Sequence, residues 1–343
     1  MATLAAIAGC GALLSPGGAG AAVPEGSDFE QALPTLERLE HLSADSPEGP
    51  VTHRSPVVDA PERFDMAGLQ GETREYELRG RVAGGEWTDW TETLYGDPVW
   101  FGGMDQLQVR TRGWRPGGKI HYVAVTEPAS APVAARGSDS GIPEIITRKQ
   151  WGANQSTGGC EPRRTPDYGT VKAAAVHHTV SAVNYSEPEA PGMVLSICRY
   201  HRYSNGLDDI SYNALVDRFG NVYAGRDGGL GRAVVGAQMQ GYNAQTTGVA
   251  VIGTHTSVPI SRAAMRGLSR WLAWKLPEHG HDTTGTARMI SAGGDANRFP
   301  TGTRVNTSRI IGHRRTGFTE CPGDALVGQL GKLRDKVQRR IDR

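Results

Sequence analysis

Cysteine is scarce in this chain of 343 residues: there are four, too few for a fold built on disulfides. Cys10 lies near the N-terminus, which leaves Cys160, Cys198 and Cys321, an odd number that invites one disulfide and one cysteine with another task. Net charge is nearly absent, at +1, so there is no global signature of a polyanion-binding protein and no nucleic-acid partner is expected. Long apolar runs are missing after the first 25 residues, which argues against an internal membrane-spanning helix. Core material is not lacking. Hydrophobic residues make up 38% and charged ones 21%, a balance that excludes wholesale disorder.

The small net charge hides an asymmetry. Residues 23–140 hold 20 acids and 11 bases, a balance of −9, whereas residues 141–343 hold 16 acids and 26 bases, a balance of +10. Two opposed charge blocks in a chain of this length suggest two domains. Residues 1–14 are apolar and small, 15–20 are Gly-rich, and Ala19-Gly20-Ala21 fits an A-x-A cleavage site. Residues 1–22 therefore read as a secretory signal, without the usual basic n-region, and imply a secreted or cell-wall location. A lipoprotein alternative rests on Ile7-Ala8-Gly9-Cys10, but the apolar run continues past Cys10, which puts that cysteine inside the apolar region.

Residues 23–58 are rich in Pro, Glu and Ser and read as a connecting arm with one short helical pattern at 29–42. In residues 59–127, Tyr76 and Leu78 alternate with Glu75, Glu77 and Arg79. Leu107, Val109 and Thr111 likewise alternate with Gln106, Gln108 and Arg110. Period-two alternation broken by Gly pairs predicts antiparallel strands in a small all-β, sandwich-like domain. Residues 128–142 are rich in Pro, Ala, Ser and Gly without periodicity and read as a linker.

Residues 143–343 alternate element types. Strands are expected at 171–178, 247–253 and 309–313, and a hairpin at 210–216 and 222–225 around Arg218-Phe219-Gly220-Asn221. Helices are expected at 192–203, at 261–276 (Met265, Leu268, Leu272 and Leu276 near helical spacing) and over the last 18 residues. This interleaving implies an α/β domain with a mixed sheet.

His177-His178 closes one apolar strand, His313 closes another, and Cys321 follows His313 by eight residues in Thr319-Glu320-Cys321-Pro322-Gly323. Side chains at strand ends and on the following loop can converge on one point. Two imidazoles and a thiolate meet the needs of a catalytic zinc, which keeps three protein ligands and a water. The plainer alternative is two polar strand ends and a small buried thiol. The spacing is not one of the short zinc motifs, so residue types alone leave both open.

Seven motifs in order give the C-terminal region a family likeness. They are Pro143-Glu144-Ile145-Ile146-Thr147-Arg148-Lys149-Gln150-Trp151, Val176-His177-His178-Thr179, Asp209-Ile210-Ser211-Tyr212-Asn213 and Gly220-Asn221-Val222-Tyr223-Ala224-Gly225-Arg226. Gly241-Tyr242-Asn243 before Thr247-Gly248-Val249, Gly312-His313-Arg314-Arg315 and Glu320-Cys321-Pro322-Gly323-Asp324 complete the set. Residues 143–343 thereby resemble the type 2 N-acetylmuramoyl-L-alanine amidases and peptidoglycan recognition proteins. The resemblance implies a central mixed β-sheet flanked by helices, a zinc ion in a groove held by His177, His313 and Cys321, and catalytic roles for Tyr212 and Thr319. It implies substrate contacts at His178, Arg226 and Asn243, with His178 also backing the ligand next to it, and Arg226 facing a diaminopimelate carboxylate. The implied reaction is hydrolysis of the amide between N-acetylmuramic acid and the L-alanine of the stem peptide. Peptidoglycan or muropeptides are then the partner of a monomeric enzyme. The alternative within the family is a recognition module that binds muropeptides without turnover; such relatives typically lose the zinc cysteine, which this chain keeps.

Gln238 departs from the histidine that many relatives carry, so a groove contact is expected to differ. Cys160 and Cys198 suit a disulfide between the segment before the first strand and the first helix, with two buried thiols as the alternative. The β-rich region resembles the N-terminal part of some secreted bacterial amidases, which implies no specific activity. Its Trp87, Trp90, Trp100 and Trp114 suit either a carbohydrate platform or, more in keeping with strand positions, packing.

Overall fold

A computed structural model describes residues 24–39, 50–72, 74–93, 97–126 and 142–343. The expected signal segment, Cys10 and nearly all of the expected linker lie outside the described residues. Eight strands come first: β1 (Gly26–Ala32), β2 (Glu37–Arg38), β3 (His53–Arg54), β4 (Val58–Leu69), β5 (Tyr76–Arg81), β6 (Thr91–Thr93), β7 (Val99–Thr111) and β8 (Lys119–Val125). All pair antiparallel, in the order β1-β8-β4-β7-β3-β2, with β5 joining β7 to β6. The strands form one hydrogen-bonded sheet because the 13-residue β7 pairs with β4 and β3 along one edge and with β5 along the other. The helical pattern at 29–42 is overruled. Phe29 pairs with Tyr122 across β1 and β8 and stacks on its ring at 5.0 Å, so the arm begins as a strand of the sheet. A cross-strand aromatic pair outweighs a weak local preference.

The tryptophans are packing residues. Arg79 lies 4.6 Å from the Trp87 ring and 4.4 Å from the Trp90 ring, with Arg81 over Trp87 and Arg110 over Trp90 at 4.4 Å each. Arg74 covers Trp114 at 3.8 Å, and Trp100 is buried. Guanidinium planes thus occupy faces that a sugar platform would need free.

The second region is built on β9 (Ala173–His178), β10 (Ala214–Val216), β11 (Val222–Ala224), β12 (Thr246–Val251), a short hairpin of β13 (Ala287–Ile290) and β14 (Arg304–Thr307), and β15 (Ile310–Gly312). Its helices are α1 (Glu189–Tyr203), α2 (Arg262–Lys275) and α3 (Asp324–Ile341). The main sheet runs β11-β10-β12-β9-β15; β11 is antiparallel to β10 and the rest are parallel, so the sheet is mixed as expected. Every residue of β9, β10, β11, β12 and β15 is buried, as parallel strands covered on both faces must be. Ala174, Val176, Val249 and Val251 pack with Leu268, Leu272 and Leu330 under α2 and α3. Leu215, Tyr223 and Ala250 pack with Met193 and Ile197 of α1. Ser261 starts α2 by accepting a hydrogen bond from the Ala264 amide at 2.9 Å, the side-chain cap its position suggests. The β13–β14 hairpin had no distinct sequence signal, because its strands are four residues long and bury only alternate side chains.

Helix α1 is buried from Ala190 through His201, on all sides. Its far side packs against the N-terminal sheet, where Met66, Trp100 and Val123 share one core with Met193, Ile197 and Tyr200. Among the described residues, no helix is long and apolar enough to cross a membrane.

Candidate metal centre

Sheet register brings the two separated histidines together. Gly312 of β15 pairs with Val176 of β9, so the next residues, His313 and His177, are neighbours with ring centroids 4.6 Å apart. Pleating separates His177 from His178, since successive side chains point to opposite faces. His177 joins the side of His313 and Cys321. Sγ of Cys321 lies 3.6 Å from Nδ1 of His177, and one donor atom from each of the three residues lies within 4.8 Å of the others. The Cys321 loop is closed by the Arg314 amide donating to the Cys321 carbonyl at 2.8 Å and the Cys321 amide donating to Oγ1 of Thr319 at 3.1 Å. A Cβ at Gly317 would stand 2.9 Å from Nε2 of His313, so a larger residue there would push on that ring.

Burial sets the electrostatics. Desolvation holds the His177 imidazole well below its ordinary range, with the neighbouring His313 and His178 adding to the effect, and brings His313 down to about 4. Both rings are therefore neutral at pH 7, with lone pairs available. Burial pushes the Cys321 thiol up, and its proton is the one a metal cation would displace. Nε2 of His177 is buried without a hydrogen-bond partner. An N, N, S donor set free of competing partners fits zinc. The other close group, Cys160, Cys198 and Asp209, is not a metal site, because the two cysteines are joined in a disulfide with Cα atoms 6.2 Å apart.

A cavity of about 440 Å³ opens over the triad. Tyr212 lines it, with its ring 5.3 Å from that of His177, and so does Thr319. Gln238 lines it too. Arg226 belongs to an adjoining cavity of about 240 Å³ with Arg164, Asp208 and Asp227. The two cavities share Leu207 and Ala237 and form one cleft. Two expected substrate contacts lie elsewhere. His178 faces away from the cleft and accepts a hydrogen bond at Nδ1 from the His255 amide at 3.2 Å; the one-residue step along β9 is the reason. Oδ1 of Asn243 accepts from the amides of Gln238 and Met239 at 3.0 and 2.7 Å, so it holds the cavity loop instead of lining it.

Sequence reasoning missed several cavity residues. His201, at the end of α1, lines the cavity and accepts at Nδ1 from the Ser211 amide at 3.2 Å. Gly71, Glu72 and Asp97 come from the N-terminal sheet. No local pattern marks them, because their relevance comes from packing across the α1 seam.

The sequence profile of the family described as N-acetylmuramoyl-L-alanine amidase matches residues 167–324. The chain is 28% identical over 188 residues to Peptidoglycan-recognition protein SC2 of Drosophila melanogaster, covering 54% of this chain and 84% of that protein. It is 30% identical over 198 residues to the N-acetylmuramoyl-L-alanine amidase of Sus scrofa, covering 55% of this chain but only 27% of that protein. Among solved structures, wild-type Drosophila PGRP-LB aligns with 22% identity and a TM-score of 0.41 over 55% of this chain and 92% of that one. On the profile and sequence matches, the chain belongs to the family of N-acetylmuramoyl-L-alanine amidases and peptidoglycan-recognition proteins.

Proposed function

We propose that the protein is a zinc-dependent N-acetylmuramoyl-L-alanine amidase that hydrolyses the amide between N-acetylmuramic acid and the L-alanine of the stem peptide. The convergence of His177, His313 and Cys321 in one cavity carries this reading, since a catalytic zinc needs three protein donors and muropeptide binding alone needs none. Zinc held by these three residues supplies Lewis acidity and a water that ionises near neutral pH. The chain's own side chains do the rest. The phenol of Tyr212, kept protonated by burial, donates to the scissile carbonyl. The Thr319 hydroxyl accepts the Cys321 amide and keeps its own hydrogen for the developing oxyanion. Arg226, in the adjoining cavity, offers a guanidinium to a carboxylate of the stem peptide, with diaminopimelate as the favoured residue. The Cys160–Cys198 disulfide suits an oxidising compartment and therefore secretion to the cell wall. In this reading the enzyme acts as a monomer of two units, an N-terminal β unit that takes in strands from Gly26 onwards and the amidase unit 143–343.

The test uses the purified chain and a muramyl tripeptide bearing diaminopimelate, with mass spectrometry to detect free tripeptide. Release by the wild type, with loss of at least about 100-fold in Cys321→Ser and in chelator-treated protein, is expected. A zinc-loaded wild type that releases no tripeptide would sink the enzyme reading and favour a recognition protein.

A further inference from the structure

The cavity over the triad has a wall that the α/β region does not supply. Gly71 and Glu72, in the turn after β4, and Asp97, just before β7, complete it. Both segments are pinned to α1. Trp100 is 2% exposed, and its ring lies 3.8 Å from where a Cβ on Gly192 would stand. Tyr200 packs so closely under Gly68 that a Cβ there would meet its hydroxyl, which donates to the Leu69 carbonyl at 3.3 Å. The Leu69 amide in turn donates to Oη of Tyr76 at 2.8 Å. A rigid seam therefore fixes where these residues stand in the cavity.

Asp97 and Glu72 differ in their engagement. Glu72 is bound to Arg74, with its carboxylate 3.0 Å from the guanidinium. Asp97 accepts no hydrogen bond from the described residues, and burial pushes its carboxyl up to about 7. It stands outside the three-residue donor group and lines the cavity that a substrate would fill. A half-buried carboxyl that lines a cavity is placed to accept a hydrogen bond from a ligand that enters it.

We propose that Asp97 is a substrate-contacting residue supplied by the N-terminal sheet, accepting a hydrogen bond from an N–H or O–H group of the muramyl peptide beside the scissile amide. The inference rests on the amidase-family reading of this cavity, and it makes the sheet part of the substrate site. No covalent step is assigned to Asp97.

The test uses the full chain and its Asp97→Asn and Asp97→Ala variants, measured by zinc content, thermal melting, turnover of the muramyl tripeptide, and calorimetric affinity for the same peptide on chelator-stripped protein. Both variants are expected to melt cooperatively and to hold zinc as the wild type does. Asp97→Ala should weaken the peptide Kd and raise KM about tenfold, the loss of one charged hydrogen bond, with Asp97→Asn in between because it keeps an acceptor oxygen. A Kd for Asp97→Ala within about threefold of wild type would overturn the proposal, as would loss of zinc, which would move the role of Asp97 to the metal. If the wild type binds the peptide without cleaving it, the enzyme reading fails and the Kd ratio still decides this contact. If the wild type does not bind the peptide at all, both fail.

Discussion

The two sheets of this protein bury their residues in opposite styles. The strands of the C-terminal sheet are buried at every position, whereas β1 buries only its first residue and β4 leaves Pro61, Glu62 and Arg63 exposed before its buried second half. The first style places donors accurately. Strands clamped on both faces end at defined points, and His177 and His313 stand at two such ends. The second style leaves a surface of arginine–tryptophan stacks and charged pairs, keeps an apolar cluster of its own around Phe64, Leu78 and Tyr122, and joins α1 through Met66, Trp100 and Val123. The difference assigns the chemistry to one sheet and a wall of the cavity to the other, with α1 shared between them.

If α1 is a shared core element, breaking the seam from the sheet side should destabilise the whole chain. Trp100→Ala is expected to cost about 3–5 kcal/mol. A single thermal transition shifted downward would show one cooperative unit; an unshifted transition for the α/β region beside a lowered one for the sheet would break the comparison. From the other side, the Cys160–Cys198 bridge closes a loop of 38 residues that ends on α1. Replacing both cysteines by alanine should cost about 3–4 kcal/mol in denaturant unfolding under oxidising conditions, and a loss below about 1 kcal/mol would detach the bridge from α1 stability. The smallest effect concerns His201 at the cavity end of α1. Burial, helped by Arg226, holds its pKa at about 3. The unfolded chain takes up a proton near pH 6.5 that the folded chain refuses. The histidine's contribution to stability is therefore full above that pH and is lost as the pH falls towards 3. Compared with His201→Gln, metal-stripped wild type should lose up to about 1.4 kcal/mol more per pH unit below 6.5. Equal slopes would mean that His201 is solvated.

Much of this architecture was legible in the residues. The apolar runs around residues 173–178 and 246–251, and the amphipathic pattern led by Met265, Leu268 and Leu272, became β9, β12 and α2. Phe29 misled, because a helical spacing over few residues is a weak signal beside pairing with Tyr122 on a strand about 90 residues away. The short β13 and β14 carried too few alternations to be read. At the site, His177, His313, Cys321, Tyr212 and Thr319 were named in advance and line one cavity, whereas His178 and Asn243 do not. Motif resemblance marks a segment; which side chain of that segment reaches the cleft depends on the pleat and on loop hydrogen bonds.

Residue chemistry and order by themselves determined the mixed α/β class of residues 143–343 and marked His177, His313 and Cys321 as candidate metal donors; that Cys160 and Cys198 are bonded was left to the structure. The class and the donors follow from local periodicity and from motifs read along the chain. Tertiary structure alone decided that the His178 ring turns away from the cleft, that arginines cover the N-terminal tryptophans, and that Asp97 stands over the same cavity as Cys321. Each of these depends on register or on packing between segments far apart in sequence, and a one-residue step in a strand or the burial of α1 between two sheets leaves no local trace.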